Sequence, residues 1–375
     1  AKLRIISTIM IVTCVANFIT GGKRDENLIL PINDSVSATL NTDHLCAKTT
    51  IMASPEFKKD RIWLNGRKLS ELTTDIGFWK VHICSENNFP TAAGLASSAA
   101  GYACLVAALA QLYRVEGNIS AVARSGSGSA CRSVFGGFVR WYSGSESDGS
   151  DSIAKQIVPP DHWPEMRIIV LVVNDASKKV SSAIGMKRSV ATSALLKYRA
   201  ETVVPVRVEE MIKAIKVKDF PKFAEITMKD SNQFHATCLD TYPPCVYMND
   251  TSHAIVELVH AYNSAVGETK VAYTFDAGPN ASLYLLEKDV PEVIAIFNHF
   301  LPPISKTIVD VEYLKGIPIQ HIEVSQDLLG GINVQQQTPG KLKYIIHTNV
   351  GEGPKILHES ENHLLDSSGF PIRKK

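Results

Sequence analysis

Between Asn87 and Gly101 the chain reads Asn-Asn-Phe-Pro-Thr-Ala-Ala-Gly-Leu-Ala-Ser-Ser-Ala-Ala-Gly, and it runs on through alanine-rich sequence to Tyr113. Pro90 and Gly94 interrupt regular structure, so Asn87 to Leu95 is expected to be a loop. Beyond it Ala96, Ala99, Ala100, Ala103, Ala107 and Ala110 recur at intervals of three and four. That spacing predicts one helix with a stripe of small residues, able to lie close against a sheet. Ser97 and Ser98 fall in its first turn, where backbone N–H groups lack intrahelical partners and the helix dipole is positive. A glycine-containing loop that enters such a turn can cradle phosphate. Taken alone, the pattern also fits a serine cap on an ordinary buried helix.

The 375 residues exceed one typical domain and predict two, divided near His162-Trp163-Pro164 into 1–163 and 164–375. With 45% hydrophobic and 21% charged residues the chain can bury a sizeable core. A net charge of +1 supplies no field for nucleic acid or for an acidic membrane, so anions must be met by a few placed residues. The seven cysteines are scattered and form no Cys-x-x-Cys pair, which suits a reducing compartment. No His-Glu-x-x-His or similar spacing predicts a protein-bound metal. Lys2 and Arg4 precede the apolar run Ile5 to Ile19, but Ser7, Thr8, Thr13 and Asn17 interrupt it. Its β-branched content reads as an opening strand rather than a secretory or membrane-spanning segment.

Alternation then predicts a half-buried strand at Ser35–Leu40, and further strands are expected at Thr49–Ala53, Arg61–Leu64 (ending in an Asn65-Gly66 turn) and Lys80–Cys84, mostly antiparallel. After the central helix come a short helix at Ile119–Arg124 and a strand at Phe135–Trp141. A second unit opens with the buried-type strand Ile168–Val173. Helices are expected over Ala194–Lys216, Phe220–Met228, Ser252–Ala265 (capped by Ser252) and Pro291–Phe300. Strands Val271–Phe275, Ala281–Leu286 and Leu342–His347 complete an α/β sandwich pattern.

Two further places could meet anions or move protons. In Ser127-Gly128-Ser129-Ala130-Cys131-Arg132 the glycine is expected to free backbone amides toward a ligand. If Ala130 starts a helix, Ser129 and Arg132 share a face, and the arginine fork suits carboxylate or phosphate oxygens. A flexible loop with a surface arginine is the plainer possibility. Asp276 follows the strand Val271–Phe275 and opens Ala277-Gly278-Pro279-Asn280, a strand-end position favoured for active sites. It could accept a substrate hydroxyl proton near bound phosphate, or simply open an Asx-turn.

These three stretches together resemble the GHMP kinase superfamily, and the longer runs are similar to the mevalonate diphosphate decarboxylases within it. The matching runs are Gly22 to Glu26, Leu30 to Asn33, Asp60 to Gly66, Asn87 to Tyr102, Gly126 to Arg132, Met228 to Asp240 and Ala272 to Asn280. The resemblance implies an α+β fold of two domains, the first ribosomal-S5-domain-2-like and the second a ferredoxin-like α/β sandwich, with the site between them. It implies ATP and Mg²⁺, mevalonate 5-diphosphate as substrate, a cytoplasmic homodimer, and no nucleic-acid or membrane partner. It implies that Ala93, Gly94, Leu95, Ala96, Ser97 and Ser98 cradle the ATP phosphates. Lys23, Ser127, Ser129 and Arg132 would hold the substrate, and Asp276, with Arg132, would serve catalysis at the C3 hydroxyl.

The chain departs from that pattern twice. The Lys-Tyr-Trp-Gly-Lys run of the family has no counterpart in Val12 to Lys23, which removes a substrate-contacting lysine. The segment Lys68 to Lys80 is shorter than the family's, which carries a helix beside the nucleotide. An ATP-dependent decarboxylase is therefore the leading expectation. A small-molecule kinase of the same superfamily and an inactive relative are the alternatives.

Overall fold

The computed structural model describes residues 5–11, 22–72, 79–88, 97–173, 180–304 and 313–372. In chain order, β1 (Ile5–Ile11), β2 (Lys23–Asp25), β3 (Leu30–Pro31), β4 (Ser35–Ala38), β5 (Ala47–Ser54), β6 (Asp60–Leu64), β7 (Arg67–Leu72) and β8 (Lys80–Asn87) precede helix α1 (Ser97–Tyr113). Then come α2 (Ser120–Gly126), α3 (Ala130–Ser133), β9 (Phe138–Trp141), β10 (Ala154–Val158) and β11 (Met166–Val172). Helices α4 (Ser182–Thr192), α5 (Ala194–Tyr198), α6 (Val204–Val217), α7 (Phe220–Asp240) and α8 (Asp250–Val266) follow. The last elements are β12 (Val271–Phe275), β13 (Ala281–Leu286), α9 (Val290–Phe300), β14 (Leu314–Gly316), α10 (Gln326–Gly331), β15 (Tyr344–Asn349) and β16 (Lys355–Ile356).

Three sheets carry the structure. A six-stranded sheet in the order β16-β1-β5-β8-β6-β7 is antiparallel except where β6 runs parallel to β8. The Asn65-Gly66 pair joins β6 to β7 with positive φ at both residues (48° and 76°), the backbone such a hairpin turn demands. A three-stranded sheet runs β10-β9-β4, and a five-stranded sheet runs β12-β13-β11-β15-β14. Only six residues lie between β7 and Trp79. The ends they join sit at one end of the sheet, since Leu72 pairs with Asp60, and the Asp60 carboxylate accepts from Val81 N at 2.7 Å. With β6 between β7 and β8, those ends are two strand spacings apart, about 10 Å.

Helix α1 packs on β1 and β5 through its small-residue stripe. Ala99, Ala100, Ala103, Cys104, Ala107 and Ala108 are buried, and Cys104 Sγ donates to the carbonyls of Ile9 (3.1 Å) and Ala47 (3.4 Å). Burial beside the sheet raises that thiol's pKa to about 12, so it acts as an apolar filler. The sequence places α1 correctly. It underestimates α7, expected to stop at Met228, which continues to Asp240 and is capped by Asp219 accepting from Lys222 N. Helix α8 begins earlier than expected. Asn249 is its cap, and Ser252 is the reciprocal partner three residues on, not the cap itself.

The halves of the chain share one continuous apolar core, which runs from Ile9 and Ala47 through Phe138 and Phe223 to Ile345. Phe138, Trp163, Phe223 and Tyr284 form a ladder of ring contacts with centroids 5.3–6.3 Å apart. The segment after β15 sews the halves at the main chain: Asn41 N donates to Asn349 O, Gly351 N to Thr39 O, and Gly137 N to Gly351 O. The chain then returns to the first sheet. β16 pairs with β1, and Leu364 and Leu365 pack with Met52, Trp63 and Cys84.

Candidate active site

Asp276 is positioned by main chain on both sides. Phe275 N donates to Ser231 Oγ (3.0 Å), and Phe275 O accepts from His235 Nε2 (3.3 Å). After it, Gly278 N donates to Asp276 O at 2.7 Å, so the backbone carbonyl and not the carboxylate closes the turn. The turn is pinned further on: Ser252 Oγ donates to Pro279 O (2.9 Å), and Asn280 Oδ1 accepts from Val173 N (2.9 Å). Asp276 is half-buried, and among the described residues its carboxylate has no hydrogen-bond or ion-pair partner. That carboxylate raises the pKa of the buried Cys238 thiol, pushed up to about 12 chiefly by burial, and of the Tyr247 phenol. Burial is also the main cause that lowers His235 to about 4, against a small opposing effect of Asp276. His235 is therefore neutral at physiological pH, and with Nε2 donating to Phe275 it carries its proton there.

Arg132 lies on α3, whose first turn follows Ser129 at its N-cap. Its side chain is buried. Nε donates to Ser37 Oγ at 2.9 Å, Nη1 donates to Ser35 Oγ, and the guanidinium carbon lies 5.6 Å from the Trp141 ring centre. Ser35 and Ser37 stand two apart on β4, which places both hydroxyls on one face of that strand. Sequence reasoning did not single out this pair. The i,i+2 serine spacing was the available signal.

The glycines around Arg132 have a packing role that the sequence reading did not foresee. Neither Gly126 nor Gly128 has a positive φ. A Cβ on Gly126 would come within 2.3 Å of the Tyr102 ring, and one on Gly128 within 2.9 Å of Trp141. The amides of Ser127, Ala130, Cys131 and Arg132 are all used inside the turn. Close packing against α1 and β9 requires glycine at both positions.

Lys23 sits on the β2–β3 hairpin, 3.2 Å from the Glu26 carboxylate. The hairpin bridges the two halves. A Cβ on Gly22 would meet Val190 and Leu196 of the second half, and Ile29 reaches Gly128 in the first. Helix α4, which the sequence reading did not predict, continues the path: the space a Gly185 Cβ would take is held by Tyr247 and Cys245, beside Cys238. A run of contacts thus joins the Ser127–Arg132 turn, the Lys23 hairpin, α4 and the surroundings of Asp276. Ala93, Gly94, Leu95 and Ala96 lie outside the described residues. Ser97 opens α1, and Ser98 beside it is exposed. Among the described residues no group of three or more His, Cys, Asp or Glu side chains gathers to hold a metal, and no helix is long and apolar enough to cross a membrane.

Comparison with known proteins bears on the whole chain. A family model described as the mevalonate 5-diphosphate decarboxylase C-terminal domain matches residues 168–357, and one described as the diphosphomevalonate decarboxylase-like N-terminal domain matches residues 13–154. The diphosphomevalonate decarboxylase of Danio rerio is 53% identical over 373 residues, spanning 93% of this chain and 92% of that protein. A crystal structure of mevalonate 5-diphosphate decarboxylase superposes with a TM-score of 0.81 at 42% identity, over 97% of this chain and 99% of the other. A structure of MDDEF in complex with MVAPP, AMPPCP and magnesium superposes with a TM-score of 0.72 at 29% identity, over 95% of this chain and all of the other.

Proposed function

The chain belongs to the diphosphomevalonate decarboxylase family, and on that premise we propose how its residues divide the work of converting mevalonate 5-diphosphate and ATP into isopentenyl diphosphate, ADP, phosphate and CO₂. The two-domain α+β fold of this family is the frame for that chemistry. The observation that carries the assignment is Asp276, a carboxylate without a protein partner among the described residues, held on a main-chain mount at a strand end.

Asp276 takes the proton of the C3 hydroxyl as that oxygen attacks the γ-phosphoryl group of ATP. The C3–O bond then breaks with its electron pair leaving on phosphate, and positive charge grows at C3. The electrons of the carboxylate C–C bond fall into the new double bond and CO₂ departs. Arg132, with Ser127 and Ser129, grips the substrate's anionic groups. The Ser35 and Ser37 hydroxyls hold the guanidinium at the orientation this needs. Lys23 adds a positive charge on the hairpin between the halves. The Gly94–Ser98 entry to α1 would cradle the phosphates of ATP, supported by the dipole of that 17-residue helix. Mg²⁺ would be held together with those phosphates and would neutralise the charge that develops on them.

We divide the chain at 163/164, with the tail from β16 onward exchanged back onto the first sheet. Family membership supports the finer reading of a cytoplasmic homodimer that serves isoprenoid and sterol synthesis. Sedimentation velocity tests the dimer.

One assay tests the reaction. Purified chain is given mevalonate diphosphate and ATP, and ADP, phosphate and CO₂ are followed together. Equal release of all three is expected. ADP without CO₂ would assign a kinase, and no ADP an inactive relative.

A further inference from the structure

We propose that Ser231 and His235 are positioning residues for the decarboxylation, which aim the Asp276 carboxylate by clamping the two polar groups of Phe275. The inference rests on the reading that Asp276 handles the substrate hydroxyl.

Strand β12 is at the edge of its sheet, so the Phe275 groups that face away from β13 need partners. Helix α7 supplies both. Ser231 and His235 are four residues apart, hence on one face of the helix, and take Phe275 N (3.0 Å) and Phe275 O (3.3 Å) respectively. The carbonyl held by His235 belongs to the peptide that enters Asp276. The bond from Gly278 N to Asp276 O fixes the peptide that leaves it. With both planes held, the direction of the Asp276 Cα–Cβ bond is set by backbone alone, which a carboxylate with no side-chain partner requires.

The clamp is itself anchored. Asp230, next to Ser231, receives a two-pronged ion pair from Arg199, at 2.7 and 2.8 Å, and a third contact from Arg207 at 3.1 Å. Arg199 is fully buried on the π-helical turn Arg199–Val203, and it also donates to Gln233 at 2.8 Å. Breaking such a pair would strand a buried charge, so α7 cannot rotate or slide without a large cost. Ser231 and His235 inherit that register.

Filling an open edge is a purely structural task, and β12 contains an internal control for it. At its other end Val271 N and O are held in the same manner by the Asn263 side chain, at 3.1 and 2.8 Å. Asn263 caps the edge four residues from Phe275 and touches neither peptide of Asp276.

The test compares His235→Leu, His235→Gln, Ser231→Ala and Asn263→Ala in steady-state kinetics, with melting temperature measured for each. His235→Leu should lower kcat 10- to 100-fold with KM for mevalonate diphosphate within about threefold, because binding groups stay in place while the proton acceptor swings. His235→Gln, which restores an N–H donor at similar reach, should recover most of the loss. Ser231→Ala should lower kcat less, also without a change in KM. Asn263→Ala should lower the melting temperature but leave kcat alone. In an Asp276→Asn background His235→Leu should cost nothing more. Equal kcat in His235→Leu and Asn263→Ala, or a KM that rises in step with the fall in kcat, overturns the clamp. Near-normal turnover by Asp276→Asn overturns the reading beneath it instead.

Discussion

Arg132 takes its orientation from two serine hydroxyls on a neighbouring strand and from the face of Trp141, whereas Asp276 takes its orientation from hydrogen bonds to the peptides on either side of it. Hydroxyls rotate, and a guanidinium held by them can shift its donors toward an arriving anion. A carboxylate on a clamped backbone cannot move far. The contrast matches the tasks: the arginine must follow charge as it redistributes, and the aspartate must stay within reach of one proton. The contrast extends outward. On the proposed mechanism the first half would meet ligands at Lys23, at Gly94–Ser98 and at Ser127–Arg132. The second half presents one residue from the end of a strand.

Asp276→Asn is the most severe way to break this comparison. Its mount should be unchanged, so substrate and nucleotide should still bind while turnover falls 10²- to 10⁴-fold. A variant that keeps more than about a tenth of the rate would remove Asp276 from proton transfer.

Acid should separate the halves next. His235 and His347 both lie in the second half, and burial lowers each to about 4. In the unfolded chain they titrate near 6.5, so above that pH neither state holds the proton and folding has no opposing protonation. As pH falls from about 6.5 toward 4 only the unfolded chain gains protons, and each site withdraws on the order of 3 kcal/mol of stability. Hydrogen exchange across this window should show the five-stranded sheet opening before the six-stranded one. A reversed order would count against the assignment.

In the first half the segment Lys68 to Lys80 is shorter than the family's, which carries a helix beside the nucleotide, and the prediction is that this wall is missing. Loss of about 100 Å² of apolar cover for adenine should weaken ATP by roughly 2.5 kcal/mol, and inorganic triphosphate should then compete almost as well. Calorimetry with ATP, GTP and triphosphate measures this, and strong preference for ATP would show that other residues rebuild the wall. Arg132→Lys is the mildest of the four. A point charge cannot span Ser35, Ser37 and a planar anion together, so kcat/KM should fall by about 2 kcal/mol, near 30-fold. Kinetics equal to the parent would make the arginine a structural residue.

Much of this was legible in the sequence because its causes are local. Short runs bounded by turn signals mark β5, β6, β8 and β12 to within a few residues, and the alanine spacing marks α1 with the face it buries. Asp276 and Arg132 stand out because turn-forming neighbours flag them. What stayed hidden depends on residues distant in the chain. The packing role of Gly126 and Gly128 shows only once Tyr102 and Trp141 are found pressed against them. Ser252 and Asn249 are both good caps, and only geometry shows which leads and which answers. Gln233 and His235 fall beyond Met228, the expected end of their helix, and their partners, Arg199 and Phe275, lie 34 to 40 residues away.

The strand order of the first sheet also bears on how the protein is made. Ile9 stands opposite Ile356, so the edge of β1 waits for a partner translated 347 residues later. At 5–20 residues per second a ribosome needs roughly 17 to 70 seconds to deliver it. For that interval the nascent first half presents an unpaired edge, with Met52, Trp63 and Cys84 lacking the leucines that cover them in the finished fold. The window between initiation and termination is therefore when this protein depends most on chaperones, and slowed translation should raise its aggregation more than that of a protein whose sheets close as they emerge.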